Sequence, residues 1–349
     1  MELTWPNILT SLVRGEPLDS RATGWAMNEI LSGNASPVQM AGFMVALRAK
    51  GETVEEIDTL ARGMLDKARR VDLPREAVDV VGSGGDRANT VNISTMAAVV
   101  AAAAGAKVVK HGNRAASSMS GTADCLEALG VALDVPPERQ REVFAECGLV
   151  FLFAPMYHGS LRYTAPARRE LGIQTTFNFL GPLSNPARPQ AQAIGVANLD
   201  MAALVAGVIA ARGNRGLVFH GEDGLDELTT TTDSDIWLVA GGQIVRTELD
   251  PSDLGLQPAR AVDLVGGPPE HNAQVALDTF AGANGPVRDI VLLNAAAALL
   301  AFDGPRLEVP VAEQLLSGIQ RAARAIDEGR ATELLNRWIA ATQRAVTAP

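Results

Sequence analysis

From residue 1 to about 70, apolar positions recur at helical spacing, and no stretch alternates as a half-buried strand would. Asp19 precedes a run containing Trp25, Met27, Ile30 and Leu31, and Ser36-Pro37 precedes Met40, Phe43, Met44 and Leu47. Thr53 with Glu56 then gives a capping-box spacing ahead of Ile57, Leu60, Met64 and Leu65. Residues 1–72 therefore read as a small helical domain. Its apolar faces can pack on one another, on the rest of the chain or on a second copy of it.

After Pro74 the texture changes. Short β-branched runs at 77–81, 107–109, 149–153, 193–196 and 217–220 alternate with helix-length stretches such as the Ala-rich 94–104. That alternation predicts an α/β domain over residues 73–349 with a mostly parallel central sheet. Residues 236–239 and 243–247, parted by Gly241-Gly242, read as a hairpin, which makes the sheet mixed. Two long helical stretches follow, around 287–301 and from Val311 almost to the end.

Composition narrows the function classes. A chain of 349 residues exceeds the length at which one core usually stops growing, so two structural units are expected. The net charge of -10, from 40 acidic and 30 basic side chains, argues against a nucleic-acid partner. Cys125 and Cys147 have no metal-ligand spacing and read as buried free thiols, which fits a reducing cytoplasm. The start, Met1-Glu2-Leu3-Thr4-Trp5-Pro6, lacks the basic and apolar regions of a signal peptide. The longest apolar stretches, 96–106 and 290–302, are shorter than the roughly 18 residues of a membrane span, and Asn294 interrupts the second. Both read as core helices, and no membrane association is expected.

Three constellations carry chemistry. Gly82-Ser83-Gly84-Gly85-Asp86 follows a strand and precedes the helix opening at Asn92-Ile93-Ser94-Thr95, where free backbone N–H groups suit phosphate. Taken alone it reads equally as an ordinary glycine-rich turn, since its spacing matches neither the P-loop nor the dinucleotide fingerprint. Lys110-His111-Gly112-Asn113-Arg114 stands at the end of the next strand, on the same sheet edge, with Ser117-Ser118 and Ser120-Gly121 after it. Two cations among small polar residues suit an anion, although a solvated basic turn is the commoner outcome for such a piece. Asp226-Glu227, after the strand at 217–220, offers hard oxygen ligands for Mg²⁺. An isolated Asp-Glu pair is usually a solvated turn, and here the phosphate loop and the basic cluster shift that balance.

Together with Asn89-Thr90, residues 124–130, His158 in its 151–158 context, 166–172 and 175–186, these motifs resemble the anthranilate phosphoribosyltransferase family over nearly the whole chain. The resemblance implies a nucleoside phosphorylase-like fold: a helical domain completed by an insertion near 165–190, beside the α/β domain, in a homodimer formed through the helical domains. It also implies transfer of the phosphoribosyl group of phosphoribosyl pyrophosphate to the amine of anthranilate, with release of pyrophosphate, in tryptophan biosynthesis. On this reading Gly82, Ser83, Gly84, Gly85, Asp86, Thr90, Asn92, Ser94, Thr95, Lys110 and Ser118 bind phosphoribosyl pyrophosphate. Gly82, His111, Asn113, His158 and Arg168 face anthranilate, with Arg168 opposite its carboxylate, and Ser94, Asp226 and Glu227 bind Mg²⁺. His158 reads equally as a core histidine.

Three positions depart from the family pattern: Ser83 stands for the usual Thr, Met119 lies at a variable loop position, and Gln174 stands where Arg is common. A related nucleoside phosphorylase would lack the block at 158–186. A nucleic-acid-binding relative would be basic and would lose Asp226-Glu227. No residue stands out as a strong general base, with His111 and His158 both open as proton acceptors.

Overall fold

The computed structural model describes residues 2–115 and 118–347. Four helices come first: α1 (Trp5–Val13), α2 (Ser20–Leu31), α3 (Pro37–Lys50) and α4 (Val54–Lys67). Their starts follow from their caps. The Asp19 carboxylate accepts the Ala22 N–H at 2.7 Å, and Ser36 with Gln39 and Thr53 with Glu56 close reciprocal capping boxes. The periodicity did not single out α1. It opens on Trp5-Pro6 and buries Trp5, Ile8 and Leu12, with the Trp5 ring 5.3 Å from Trp25 and 6.0 Å from Phe43.

The second unit is built on β1 (Val78–Gly82), β2 (Val108–Gly112), β3 (Leu149–Phe153), β4 (Ala191–Gly195), β5 (Arg215–Gly221), β6 (Ser234–Ala240) and β7 (Gln243–Leu249). They form one sheet in the order β3-β2-β1-β4-β5-β6-β7. The first five pair in parallel, and β6 and β7 add as an antiparallel hairpin. The strand order reverses where β1 meets β4, so the crevice beyond their carboxyl ends is the place where open α/β sheets take ligands.

Helices α5 (Ile93–Ala103), α6 (Thr122–Ala128) and α7 (Gln140–Cys147) follow the first two strands, α8 (Ala154–Tyr157) and α9 (Ala165–Leu171) follow β3, and α10 (Leu199–Ala211) joins β4 to β5. The chain ends in α11 (Pro269–Phe280), α12 (Pro286–Asp303), α13 (Val311–Asp327) and α14 (Arg330–Thr347). One sheet face packs on α5 and α12, whose alanines at 97–101 and 295–298 are all buried and let the two helices approach closely. The other face packs on α10, which lies against α4 and ties the helical bundle to the sheet. Ala167, Phe177, Phe179, Leu180 and Leu183 share the bundle's apolar cluster. No helix among the described residues is long and apolar enough to cross a membrane, and both cysteines are buried free thiols.

Two expectations need correction. The final helical stretch is two helices, because Gly329 at φ +74 ends α13 and reverses the chain. Strand β2 also runs on through Lys110, His111 and Gly112, paired with Phe151, Leu152 and Phe153 of β3. These polar residues resemble a turn in sequence, yet the end of a buried parallel strand holds them.

Candidate active site

A cavity of about 340 Å³ opens at the carboxyl ends of β1 and β2. The glycine loop forms one wall. Ser83 N–H donates to the Gly195 carbonyl at 2.9 Å, and Ser83 Oγ accepts the Ala197 N–H at 3.1 Å, tying the loop to the end of β4. Gly84 and Gly85 adopt φ of +72 and +89, and the Gly84 N–H points to the Asp226 carboxylate at 2.6 Å. The Asp226 turn presses on both strand ends: a Cβ on Gly82 would lie 2.2 Å from Asp226 Oδ2, and one on Gly195 1.7 Å from the Asp226 carbonyl oxygen.

The loop returns through Thr90, which bridges to Val265, into the first turn of α5. Asn92 holds this entry in place: its Nδ2 donates to the Ser120 carbonyl at 3.2 Å, and its Oδ1 accepts from Ser120 Oγ at 3.2 Å and Asn272 Nδ2 at 2.8 Å. Ser94 lines the cavity and accepts from Lys110 Nζ at 3.2 Å. Thr95 does not line it; its side chain is buried behind the loop, 2 % exposed, with its hydroxyl unpartnered.

Lys110 is buried beneath the cavity floor, where it also donates to the Val80 carbonyl. Burial lowers its pKa, and the charges of Asp79, Glu227 and Asp226 pull the other way. Burial raises Asp226 to about 7, helped by the Asp86 carboxylate. Burial and the Asp226 charge push Glu227 well above its ordinary range. Three carboxylates this close are costly to keep ionised unless a cation joins them. Asp226 and Glu227, with Ser94, whose backbone N–H meets Glu227, offer the hard oxygens Mg²⁺ prefers. Among the described residues no group of three or more His, Cys, Asp or Glu is spaced to hold a metal unaided. Mg²⁺ ordinarily takes only one or two carboxylates and completes its shell from phosphate and water.

His111, Asn113, His158, Arg168, Phe177 and Asn178 also line the cavity. The rings of His111 and His158 lie edge to face with centroids 5.1 Å apart, and His158 Nε2 meets the Ser184 carbonyl at 2.9 Å. Burial, then the His158 charge, drives His111 down to about 3, so it is neutral, and its Nε2 is buried without a partner. Arg168 is half-buried, its pKa lowered by burial, and its guanidinium makes no hydrogen bond or ion pair with the described residues. Its neighbour Arg169 is exposed.

Of the residues expected at the site, all the described ones except Thr95 line this cavity, Ser118 among them at its rim. Ser117 lies outside the described residues. Arg114 also reaches the cavity, but Asp124 at 2.7 Å and Glu127 at 2.9 Å hold its guanidinium. Several supporting residues escaped the sequence reading. Asp79 accepts the His111 N–H at 3.1 Å and Asn185 Nδ2 at 2.8 Å, which fixes β2 against β1. Gln174, one of the departures, donates to the Gly85 carbonyl at 3.1 Å and so ties the acceptor wall to the phosphate loop. Only the departure itself marked Gln174 in the sequence, Asn185 was marked only as part of the 175–186 block, and Asp79 gave no signal.

A model of the glycosyl transferase family a/b domain matches residues 74–332, and one of that family's helical bundle domain matches 6–68. Over 340 residues the chain is 54% identical to the anthranilate phosphoribosyltransferase of Arthrobacter sp. (strain FB24), covering 97% of this chain and 96% of that one. The crystal structure of the enzyme from Thermus thermophilus superposes with a TM-score of 0.88 at 41% identity, covering 96% of this chain and 99% of that one. The Saccharomyces cerevisiae enzyme, in complex with PRPP and Mg, does so with a TM-score of 0.87 at 27% identity, covering 98% and 99%. A bundle and an a/b domain in this order, and a relative sharing over half its residues along almost the full length, mean that the chain belongs to the anthranilate phosphoribosyltransferase family.

Proposed function

We propose that the chain transfers the phosphoribosyl group of phosphoribosyl pyrophosphate to the amine of anthranilate, giving N-(5-phosphoribosyl)anthranilate and pyrophosphate in tryptophan biosynthesis. The observation that carries this reading is one cavity with two unlike sets of lining residues: a glycine loop, Lys110 and paired carboxylates, and Arg168 with two histidines, one of them with an unpartnered Nε2.

The donor wall holds the pyrophosphate through Gly82, Ser83, Gly84, Gly85, Asp86, Thr90, Asn92, Ser94 and Ser118, with free N–H groups of the loop and the first turn of α5 facing its oxygens. Thr95 acts from behind this wall. An ammonium has three donors, and Lys110 gives two to Val80 and Ser94, leaving one for the charge that builds on the departing pyrophosphate. Mg²⁺ bound through Ser94, Asp226 and Glu227 supplies Lewis-acid neutralisation of the same oxygens.

On the acceptor wall, Arg168 pairs with the anthranilate carboxylate. Neutral His111, with Asn113 and His158 beside it, turns a ring nitrogen lone pair toward the amine. A basicity as low as about 3 makes His111 an orienting acceptor rather than the group that removes the proton. Alignment of the amine behind C1 then supplies much of the rate.

We further propose a division into a helical domain, 1–72 with the segment near 165–190, and an α/β domain, 73–349. A homodimer through the helical domain is supported by Val13, Val38 and Val45, which α1 and α3 leave exposed. The cytoplasm is the proposed location, in keeping with free buried thiols. The deciding experiment mixes protein, Mg²⁺, phosphoribosyl pyrophosphate and anthranilate and follows anthranilate fluorescence. Loss of signal that requires every component supports the reading, and an unchanged signal with folded protein rejects it.

A further inference from the structure

A second cavity, of about 480 Å³, opens at the opposite edge of the sheet, beside the amino ends of β1, β4 and β5. Four arginines line it: Arg62 from α4, Arg75 ahead of β1, Arg188 ahead of β4, and Arg212 at the end of α10. Asp66 is its one lining carboxylate among the described residues. An adjoining cavity of about 680 Å³ shares Arg75 and Arg188 and adds Arg69 and Arg70. In a chain whose net charge is -10, so many guanidinium groups in one recess stand out from the background.

Arg69 is paired with Glu138 at 2.8 Å, whereas the four arginines of the first recess are incompletely neutralised. Arg212 Nε pairs with Asp58 at 2.7 Å and its Nη1 donates to the Leu183 carbonyl at 2.8 Å, while its buried Nη2 has no partner among the described residues. Arg62 shares the same Asp58, at 2.7 Å, and Arg188 reaches Asp66 only at 3.6 Å. The backbone adds a second observation. Among the described residues three other than glycine adopt a left-handed φ: Arg87 and Asn89 in the phosphate loop, and Arg188 at +51. Arg188 is held there by its N–H, which donates to the Asn185 carbonyl, and by Arg75 Nε, which donates to the Arg188 carbonyl, each at 3.0 Å. The strained turn directs a cation over the recess.

We propose that this recess is a binding site, separate from the catalytic cleft, for a small polyanion bearing carboxylate or phosphate groups. Planar forks from several directions match such oxygens.

The test is calorimetric titration of the whole protein with Mg²⁺ and phosphoribosyl pyrophosphate present to fill the catalytic cleft. Tricarballylate serves as the carboxylate probe and glycerol 3-phosphate as the phosphate probe. At least one is expected to bind once per chain with a dissociation constant of roughly 1 mM or tighter, and the tighter probe names the chemistry. The double variant Arg62→Gln, Arg188→Asn removes two side chains that are 61% and 56% exposed, and Asn tolerates the left-handed backbone. It is expected to weaken that binding about tenfold or more, with kcat and the KM for phosphoribosyl pyrophosphate within about twofold of wild type. No binding of either probe up to ~10 mM, or a weakening of less than about tenfold in the folded double variant, overturns the proposal.

Discussion

The side-chain amide of Asn294 closes both backbone groups of Leu228, accepting its N–H at 3.0 Å and donating to its carbonyl at 2.8 Å. Leu228 directly follows Asp226-Glu227, so a buried polar residue of α12 anchors the acidic turn from below. Asn294→Leu keeps the branched outline but replaces the amide by bulkier methyls and strands both groups, and is expected to cost about 2–4 kcal/mol in urea unfolding. Turnover should fall as well, because Glu227 loses its anchor. Wild-type stability in the variant would remove this role.

Arg168 and Arg169 give a paired test. A guanidinium that meets the acceptor carboxylate in a partly closed site contributes on the order of 1.5–3 kcal/mol, so Arg168→Ala should raise the KM for anthranilate about ten- to a hundredfold. The KM for phosphoribosyl pyrophosphate should hardly move. Arg169→Ala, at an exposed position, should be nearly silent. Equal effects of the two substitutions would contradict the assignment.

Dependence on a divalent cation follows from the crowding of Asp86, Asp226 and Glu227. Chelation is expected to abolish turnover, and Glu227→Gln to retain the circular dichroism of the fold while losing most activity, since an amide is a poor ligand for a hard cation. With phosphoribosyl pyrophosphate present, added Mg²⁺ should raise the melting temperature of wild type more than that of the variant. Full turnover in metal-free buffer would sink the site.

Much of this was legible in the sequence because glycines, caps and apolar periods act locally. The helix starts read at Ser36-Pro37 and at the Thr53 capping box fall where the sequence places them. The glycine loop, Lys110 and Asp226-Glu227 meet because each lies at or beyond the carboxyl end of a parallel strand, and parallel strands deliver those ends to one edge. Residues acting through tertiary contact left no such trace. Asp79 reads as a polar interruption of a strand, and Asn294 as a defect in an apolar helix, until their partners His111, Asn185 and Leu228 are known. Thr95 shows the converse, since motif membership did not bring its side chain to the cleft.

His111 makes a pH prediction with a definite sign. Its folded pKa of about 3 lies below the ordinary 6.5, so the unfolded chain takes up a proton that the folded one excludes. The stability it allows is complete above about pH 6.5 and is lost as pH falls, by ~1.4 kcal/mol per unit. Between pH 8 and pH 5 that amounts to about 2 kcal/mol. His111→Asn should therefore lose less stability than wild type over this interval in urea unfolding. Identical losses would mean that His111 is protonated in the folded protein.

Strand β1 pairs with β4 along its whole length, from Val78 against Ala191 to Gly82 against Gly195, although β2, β3 and their helices lie between them in the chain. Loop closure over so long a stretch is slow, because its entropy is lost before the contacts that repay it are made. Helical segments need no such wait. On dilution from denaturant, helical circular dichroism should return first and enzymatic activity should lag behind it, since the cleft exists only once the two strands have met. Coincident recovery of the two signals would show instead that this pairing forms early. On that expectation, the seam that gives the chain its cleft is also the step that sets how long a newly made chain remains inactive.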